Sequence, residues 1–415
     1  MGLLAINLAG IMQSLGGILL AVLILLVMVT IHEFGHYVAG KLLNFKINEF
    51  SVGFGPALFK KRSKKTGELF ALRAVPLGGY CAFDGEDDGE DDEESTAKEK
   101  NIEPFEDHEP IEKAVEIVES QSAEKQETTG AGTSVSEEEY PEPQGVRFND
   151  QPPWKRIIVL VAGATMNYLL ALLLIIAMFA GFGQPLYQVV EPREREDGTF
   201  GYLAPEYEVG DVIERVNGEY VYLITDYMDA LTGKKAGDVV EIGVIRGGER
   251  VTIEVTLTAD ASFRNMSDTS RLLGVLGLDG LRTVNVRNGF FATIGRSFAY
   301  SWKIGGPVLR SLGELLTGKL SMDAMGGPVT TITVTAQAAA SGMIQFLNIS
   351  ALIGVNLAVF NLLPVPALDG SKVVFCLIEW IRKKPINRKV ETMIHFIGII
   401  FLFGFAILVD LLHLF

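Results

Sequence analysis

Cysteine and histidine are scarce in this 415-residue chain, and acidic residues outnumber basic ones. The two cysteines cannot build the disulfide framework of a small secreted scaffold. With 36 Lys and Arg against 51 Asp and Glu, the formal net charge of -15 argues against a nucleic-acid partner, which requires a basic protein surface. The absence of a fixed sequence period excludes collagen-like, solenoid and coiled-coil folds.

The acidic charge is concentrated in one segment. Between Asp84 and Pro143 there are 23 Asp or Glu, four Lys and no Arg, so the rest of the chain is slightly basic. The segment has too few apolar side chains to offset the entropy lost on ordering. We therefore predict a disordered, cytoplasmic insert over residues 84–150. A docking or regulatory role stays open, with residues 111–119 as a candidate short helix.

Outside the insert the chain is rich in long apolar runs. Four of them reach the length of about 20 residues with which a helix crosses a bilayer. They cover residues 11–39, 157–182, 342–363 and 393–414. Basic residues cluster after the first run and between the third and fourth, and the positive-inside rule places both loops in the cytoplasm. Both termini and the connection after the second run are then extracytoplasmic.

The connection after the second run is not apolar throughout. Residues 187–257 show short alternating strand patterns, a helical pattern at 224–232 and a hairpin turn at Gly247-Gly248. Residues 290–319 show helical spacing of apolar side chains, with a break expected at residues 305–307, Gly-Gly-Pro. We predict a small β-rich domain followed by an amphipathic helix at the membrane.

A metal-binding motif, His32-Glu33-Phe34-Gly35-His36, lies where the first apolar run ends. Residues i and i+4 share one face of a helix, so both imidazoles can bind one Zn²⁺ while Glu33 stands beside the open coordination position. A charged residue inside an apolar span is itself an indication of function. The alternative is that neighbouring helices satisfy all three side chains.

Two histidines leave a tetrahedral site short of a protein ligand. Asp369 follows the third run on its cytoplasmic side, and Pro364 and Pro366 would break that helix so that the carboxylate can turn toward the metal. A loop or helix-capping role is the alternative for Asp369. His395 and His413 are isolated on the fourth run, and we predict that neither is a ligand.

The pairing of HEFGH in a first span with NLLPVPALDG after a third resembles the site-2 protease family of intramembrane zinc metalloproteases. It is more similar still to the bacterial branch with one PDZ domain between the second and third spans. The segments SVGFGPALF, LFALRAVPLGGYCAFDGE, VGDVIERVNGEYV and GGPVTTI extend the similarity along nearly the whole chain outside the insert. Gly163-Ala164 departs from the family's Gly-Pro ahead of Asn167, and Ser371-Lys372 departs from its Gly followed by His or Arg.

This resemblance implies a fold class and an activity. The fold would be a multi-pass α-helical membrane protein with four transmembrane helices, a membrane-associated β-hairpin and one inserted α+β PDZ-like domain. The predicted units are 1–83, 84–150, 151–183, 184–282, 283–340 and 341–415. One Zn²⁺ would be held by His32, His36 and Asp369, and Glu33 would act as the general base and acid of peptide hydrolysis.

The resemblance also implies how substrates bind and what they are. The edge of the hairpin would hold an unwound substrate by strand addition. The residues implied in substrate binding are Gly78, Gly79, Asn361 and Pro366. Substrates would be single-span proteins of the bacterial cytoplasmic membrane, such as anti-sigma factors or remnant signal peptides. A site-1-type protease would cut them first, and the PDZ-like domain would filter them.

Two other functions fit parts of the pattern. A membrane scaffold or receptor would bind peptide termini through the PDZ-like domain, but Glu33 beside the metal argues against a closed structural zinc site. An anchored soluble peptidase would carry its motif outside the span. Cys81 and Cys376 map to the cytoplasmic side, where we expect them to be reduced and structural rather than metal-bound.

Overall fold

The computed structural model describes residues 8–86, 140–194, 201–263, 268–318 and 326–412. The helices and strands in chain order are α1 (Leu8–Leu42), β1 (Ile47–Arg62), β2 (Leu69–Phe83), α2 (Pro153–Phe182), β3 (Gln184–Val189), β4 (Val212–Val216), β5 (Glu219–Tyr220), α3 (Ile224–Leu231), β6 (Val239–Arg246), β7 (Glu249–Thr256), α4 (Thr269–Leu276), β8 (Leu281–Val286), α5 (Phe290–Leu316), α6 (Pro328–Ser341), α7 (Met343–Asn361), α8 (Asp369–Arg382) and α9 (Arg388–Leu412).

Four helices in this part of the chain are long and apolar enough to cross a membrane: α1 from Leu15 onward, α2, α7 and α9. They coincide with the four predicted runs, and the chain is an integral membrane protein. Their outer surfaces carry many exposed Leu, Ile and Phe side chains, as expected for helices that face lipid rather than water. The four-helix part of the predicted fold class is therefore confirmed.

Small residues bring the helices into close contact. A Cβ atom at Gly35 of α1 would lie 2.5 Å from the carbonyl oxygen of Ala162 in α2. A Cβ atom at Gly17 of α1 would lie 2.8 Å from the carbonyl oxygen of Ala336 in α6. Lipid supplies little hydrophobic drive for helix association, so such backbone contacts are the main source of packing energy. The helix α1 is therefore held between α2 and α6.

The strands β1 and β2 form a sheet after the first span. Residues 49–52 of β1 pair with 79–82 on one side and with 69–72 on the other, and residues 59–62 pair with 69–72 as well. Each strand is therefore bent back on itself, so the two strands form a sheet of four hydrogen-bonded rows. The C-terminal half of β2 forms one edge of this sheet.

The ends of the predicted insert are ordered. Phe148 is buried against Phe45 and Phe83, and its backbone N–H donates to the carbonyl oxygen of Asp84 at 2.7 Å. The side chain of Asp84 also pairs with Lys46 at 2.6 Å. The prediction of disorder is wrong at these ends because aromatic burial joins them. Residues 87–139, which include the candidate helix at 111–119, lie outside the described residues.

The connection between α2 and α5 folds into a small α+β domain. Its sheet has the strand order β7-β6-β4-β3-β8, and β5 pairs with β4. The helices α3 and α4 cover one face, where Tyr227, Leu231 and Leu272 are fully buried. The predicted hairpin turn at Gly247-Gly248 joins β6 to β7, and both glycines have positive φ, as a type I′ turn requires.

The helix α5 binds this domain through a row of ion pairs. Its basic residues at positions 296, 303 and 310 lie seven residues apart, and therefore on one face. The pairs are Arg296–Glu214 at 2.7 Å, Lys303–Asp226 at 3.0 Å and Arg310–Asp229 at 2.9 Å. Burial alone would raise the pKa of Glu214, but hydrogen bonds from Arg250 and Arg296 bring it below its ordinary value. The carboxylate therefore stays charged where the domain meets the helix.

The break expected at residues 305–307 is not observed. The helix α5 continues through Pro307 to Leu316. It is held on both sides of the proline, by the ion pairs of Lys303 and Arg310. Tertiary contacts thus compensate for the hydrogen bond that Pro307 cannot donate.

Three helices, α2, α8 and α9, meet at one buried carboxylate, Glu379 of α8. It binds the guanidinium group of Arg156 in α2, and both side chains are about 95% buried. It also pairs with Arg388 of α9 at 3.1 Å and accepts a hydrogen bond from the backbone N–H of Ile386. The orientation of α8, whose first residue is Asp369, depends on this carboxylate.

Replacement of Glu379 by Ala should destabilise the protein by about 3–5 kcal/mol, since it leaves the Arg156 charge buried without a partner. Thermal unfolding in detergent measures the loss. The control is Glu391→Ala, which removes the other partner of Arg388 but leaves it paired with Glu379, so it should cost clearly less. Equal losses for the two variants would contradict the proposed role of Glu379.

Candidate metal centre

The side chains of His32, His36 and Asp369 converge on one point. The Nε2 atom of His32 lies 3.0 Å from Oδ2 of Asp369 and 3.2 Å from Nε2 of His36. The Nε2 atom of His36 lies 3.4 Å from Oδ2 of Asp369. Both histidines are more than 90% buried. The structure thus brings together the two histidines of the sequence motif and the aspartate 333 residues after His36.

One face of α2 holds both imidazoles in place. The carbonyl oxygen of Val159 accepts a hydrogen bond from Nδ1 of His36 at 2.8 Å. The side-chain amide of Asn167 lies 3.3 Å from Nδ1 of His32. Gly163 lies between them in the sequence, four residues from each, where a Cβ atom would be 2.4 Å from His36 Nε2. The spacing of four on α2 matches the spacing of four between the histidines on α1, because both follow the helical repeat.

Asp369 reaches the histidines from a tight turn between α7 and α8. Ala367 has φ of +79°, which is rare for a residue other than glycine. A Cβ atom at Gly370 would lie 2.2 Å from the carbonyl oxygen of Leu363, so the chain folds closely on itself. Burial alone would raise the pKa of Asp369, but hydrogen bonds from the two imidazoles hold it well below its usual range.

A cavity of about 390 Å³ opens beside these three residues. It is lined by Glu33, His36, Tyr80, Cys81, Ala82, Phe83, Glu86, Leu160, Asp369 and Lys372. The C-terminal half of β2 forms one wall, where a Cβ atom on Gly79 would lie 3.4 Å from Cγ of Glu33. The edge of the sheet and the glutamate of the motif therefore face the same space.

The three converging atoms fit a zinc ion. Donors at about 2.0 Å from tetrahedral zinc lie about 3.3 Å from one another, and the observed separations are 3.0 to 3.4 Å. The hydrogen bond that Nδ1 of His36 donates to the carbonyl oxygen of Val159 leaves its Nε2 for the metal, as in other histidine zinc sites. Cys81 lines the cavity, but burial and the Glu33 carboxylate raise the pKa of its thiol, which disfavours the thiolate that a metal would bind.

The other residues singled out in the sequence lie in three places. Gly79 lies next to Glu33, because a Cβ atom on it would be 3.4 Å from Cγ of Glu33, and Gly78 lies under the ring of Phe54. Asn361 is the last residue of α7 and does not line the cavity. Pro366 packs against Gly398 of α9.

The sequence predicts that two other histidines, both in the fourth apolar run, are not metal ligands. The Nδ1 atom of His395 accepts a hydrogen bond from the turn that carries Asp369, so this histidine is not among the converging ligand atoms. His413 lies outside the described residues. Sequence reasoning did not identify Val159 or Asn167 as supports for the imidazoles. The helical spacing of Val159, Gly163 and Asn167 was a usable signal only once α2 was known to face the motif.

This centre is polar and buried in a bundle of apolar spans, and its donor set is that of a membrane-embedded zinc hydrolase. The sequence model of peptidase family M50 matches residues 20–405. The chain belongs to this family, the site-2 proteases, and is a zinc metalloprotease with a zinc cofactor.

Relatives extend over nearly the full chain. It is 27% identical to the zinc metalloprotease RasP of Bacillus licheniformis, over 92% of this chain and 94% of the relative. It is 26% identical to the regulator of sigma-W protease RasP of Bacillus subtilis, over 90% and 92%. The zinc metalloprotease RasP of Geobacillus kaustophilus is also 26% identical, over 93% and 94%.

Replacement of Gly163 by Ala should displace the imidazoles, since the added Cβ would lie 2.4 Å from His36 Nε2 and 2.8 Å from His32 Cε1. We expect zinc affinity to fall at least about 10-fold, as for loss of the groups that orient a ligand. Metal content and competition with a chelator measure it. The control is Gly181→Ala on the same helix, where a Cβ atom meets nothing within 4 Å. Full zinc binding by the Gly163→Ala protein would contradict this account of the site.

Proposed function

We propose that this metalloprotease hydrolyses peptide bonds within or near the transmembrane segments of single-span proteins. The observation that carries the proposal is the position of the ligand cluster: His32 and His36 lie inside the first span, ten and six residues before its end at Leu42. A soluble peptide would have to enter the bundle, whereas a membrane segment already lies at this depth. The alternative function, a non-proteolytic scaffold, would not require the cavity beside Glu33.

We assign His32, His36 and Asp369 as zinc ligands and Glu33 as the catalytic residue. When bound, zinc supplies a Lewis acid that polarises a peptide carbonyl and makes water nucleophilic near neutral pH. Glu33 takes the proton of the attacking water and returns it to the leaving amine. Glu33 lies against the strand edge at Gly79, in the cavity where a substrate carbonyl would lie.

The C-terminal half of β2 is suited to hold the substrate. Residues 79–82 pair with β1 on one side, and their other side forms the wall of the cavity. A helical substrate hides its carbonyl groups in hydrogen bonds, so it must unwind before cleavage. Pairing with this edge would replace the lost hydrogen bonds. Gly78 and Gly79 would keep the edge open to a second backbone, with Asn361 and Pro366 nearby on the chain that leads to Asp369.

The membrane orientation follows from the basic loops. The sheet of β1 and β2 and the ends of α2 and α8 lie on one side of the bundle and carry clusters of Lys and Arg. The positive-inside rule makes this side cytoplasmic. The α+β domain and both termini are then extracytoplasmic, in the cytoplasmic membrane of a bacterium.

The α+β domain is proposed to be PDZ-like and to filter substrates. The segment VGDVIERVNGEYV, similar to PDZ domains of the family, forms β4, β5 and the turn between them. The row of ion pairs with α5 holds the domain over the outer side of the bundle. A substrate with a large outer domain would collide with it, so an upstream protease would act first. The name of the Bacillus subtilis relative, regulator of sigma-W protease, favours anti-sigma factors as substrates.

Replacement of Glu33 by Gln should keep zinc bound and lower cleavage of a single-span substrate by about 100-fold or more, because the amide cannot take the proton. His32→Ala and Asp369→Ala should instead lose zinc. Metal content and cleavage by purified protein in detergent separate the two effects. Glu254→Gln, at an exposed position of β7 in the α+β domain, is the matched control. Substantial cleavage by the Glu33→Gln protein would refute the assignment.

Weakening the ion pairs between the α+β domain and α5 should make the domain exclude fewer substrates. In the double variant Lys303→Glu and Arg310→Glu, like charges meet Asp226 and Asp229. Cleavage of a substrate with a folded outer domain should rise at least about 5-fold, whereas a trimmed substrate should be cut at the unchanged rate. The control is Lys234→Glu with Lys235→Glu, the same charge change on exposed residues of the domain. An unchanged ratio of the two substrates would count against filtering by the domain.

A further inference from the structure

The fourth span, α9, contacts the turn that carries Asp369. The backbone N–H of Ala367 donates a hydrogen bond to Nδ1 of His395 at 3.2 Å. Three residues further along α9, a Cβ atom at Gly398 would lie 2.4 Å from Cβ of Pro366 and 2.8 Å from its carbonyl oxygen. The two α9 residues lie on the same face of the helix. They contact adjacent residues of the turn, two and three positions before Asp369.

The contact falls on the most constrained residue of the turn. Ala367 has φ of +79°, a conformation that glycine adopts readily and alanine resists. Local hydrogen bonds within the turn involve its neighbours: Val365 N–H donates to Leu363 and Leu368 N–H donates to Val365. The N–H of Ala367 instead points out of the turn and meets His395. An external acceptor therefore stabilises the conformation that the turn itself disfavours.

The imidazole of His395 is also fixed from its other side. Its ring lies edge-on to Phe375 of α8, with centroids 5.8 Å apart and planes at 72°. Phe375 lies six residues after Asp369, and Ala367 two residues before it. The histidine therefore touches the chain on both sides of the carboxylate. Because Nδ1 accepts a hydrogen bond, the ring is the neutral tautomer with its proton on Nε2.

Between its two ends, α9 is buried at few positions. Many of its apolar side chains are exposed, and among its described residues Gly398 and Val409 are the buried ones. At the other end of the helix, Asp410 accepts hydrogen bonds from the first N–H groups of α6, at Val329 and Thr330. The contact at His395 and Gly398 is thus the place where this span meets the metal centre.

We propose that His395 is a positioning residue for the metal centre: its imidazole holds Ala367 in the left-handed conformation that turns Asp369 toward His32 and His36. The fourth span then takes part in zinc binding through a backbone hydrogen bond, without supplying a ligand. This rests on the assignment of Asp369 as a zinc ligand made above. Without this acceptor, the turn would adopt other conformations in which the carboxylate of Asp369 points elsewhere. A smaller fraction of the protein molecules would then be able to bind zinc, so the measured zinc affinity would fall.

The test compares His395→Leu, which removes the acceptor, with His395→Asn, whose side-chain oxygen can take the place of Nδ1. We expect zinc affinity, measured by chelator competition on the purified full chain, to fall about 10- to 100-fold in His395→Leu. In His395→Asn it should stay within a few-fold of the parent. The visible absorption spectrum of the Co²⁺-loaded protein should change in His395→Leu and return in His395→Asn, because it reports the ligand geometry.

A second variant tests the backbone argument. Ala367→Gly removes the cost of positive φ, so it should recover part of the zinc affinity in the His395→Leu background. Phe396→Leu, a neighbouring exposed residue on α9, is the control for changes in the helix itself. Parent-like zinc affinity and Co²⁺ spectrum in His395→Leu would overturn the proposal, as would the same loss in His395→Asn as in His395→Leu.

The outcome for Asp369→Ala separates this proposal from the one on which it rests. If Asp369→Ala binds zinc like the parent, the ligand assignment itself is wrong. If Asp369→Ala loses zinc while His395→Leu keeps it, the ligand assignment stands and the positioning role of His395 is refuted.

Discussion

The metal centre depends on the close antiparallel contact between α1 and α2. Gly35 and Gly163 allow the two backbones to approach, and this distance brings Val159 and Asn167 within reach of the imidazoles of α1. Both helices repeat with the same period, so one contact fixes both imidazoles at once. In lipid, where apolar surfaces gain little by association, small residues at the crossing are what make such a contact stable. The polar centre thereby lies between apolar helices.

Much of this could be read from the sequence, for identifiable reasons. His32 and His36 are spaced by one helical turn, and a proline-containing turn before Asp369 signals the end of a span on the same side. The groups that hold the imidazoles in place could not be predicted from the sequence. The carbonyl oxygen of Val159 belongs to the backbone, and every residue has one, so no residue type marks it. Asn167 is one polar residue in an apolar run, and its partner is known only when the facing helix is known.

The helix α5 carries basic residues whose partners the apolar spacing could not identify. Lys303 and Arg310 interrupt the apolar pattern of residues 290–319, and on their own they suggest a helix at the membrane surface. In the structure they pair with acidic residues of the α+β domain. The charged residues that interrupt the apolar pattern therefore form the contact between α5 and the domain. The same pairs explain why Pro307 does not end the helix. The doubled pairing of β1 and β2 was equally hidden, because alternation specifies which face a side chain takes but not how many partners a strand has.

Asp369, the proposed third ligand, is only as well placed as the turn that carries it. His32 and His36 sit on a helix whose hydrogen bonds fix their direction, whereas Asp369 follows a segment with two prolines and a left-handed alanine. Such a segment has few internal hydrogen bonds to define one conformation, so its geometry must come from neighbours. The buried Glu379 orients α8 behind Asp369, and α9 contacts the turn in front of it. By the proposal above, α9 supplies none of the three converging atoms but helps to determine where the carboxylate of Asp369 points.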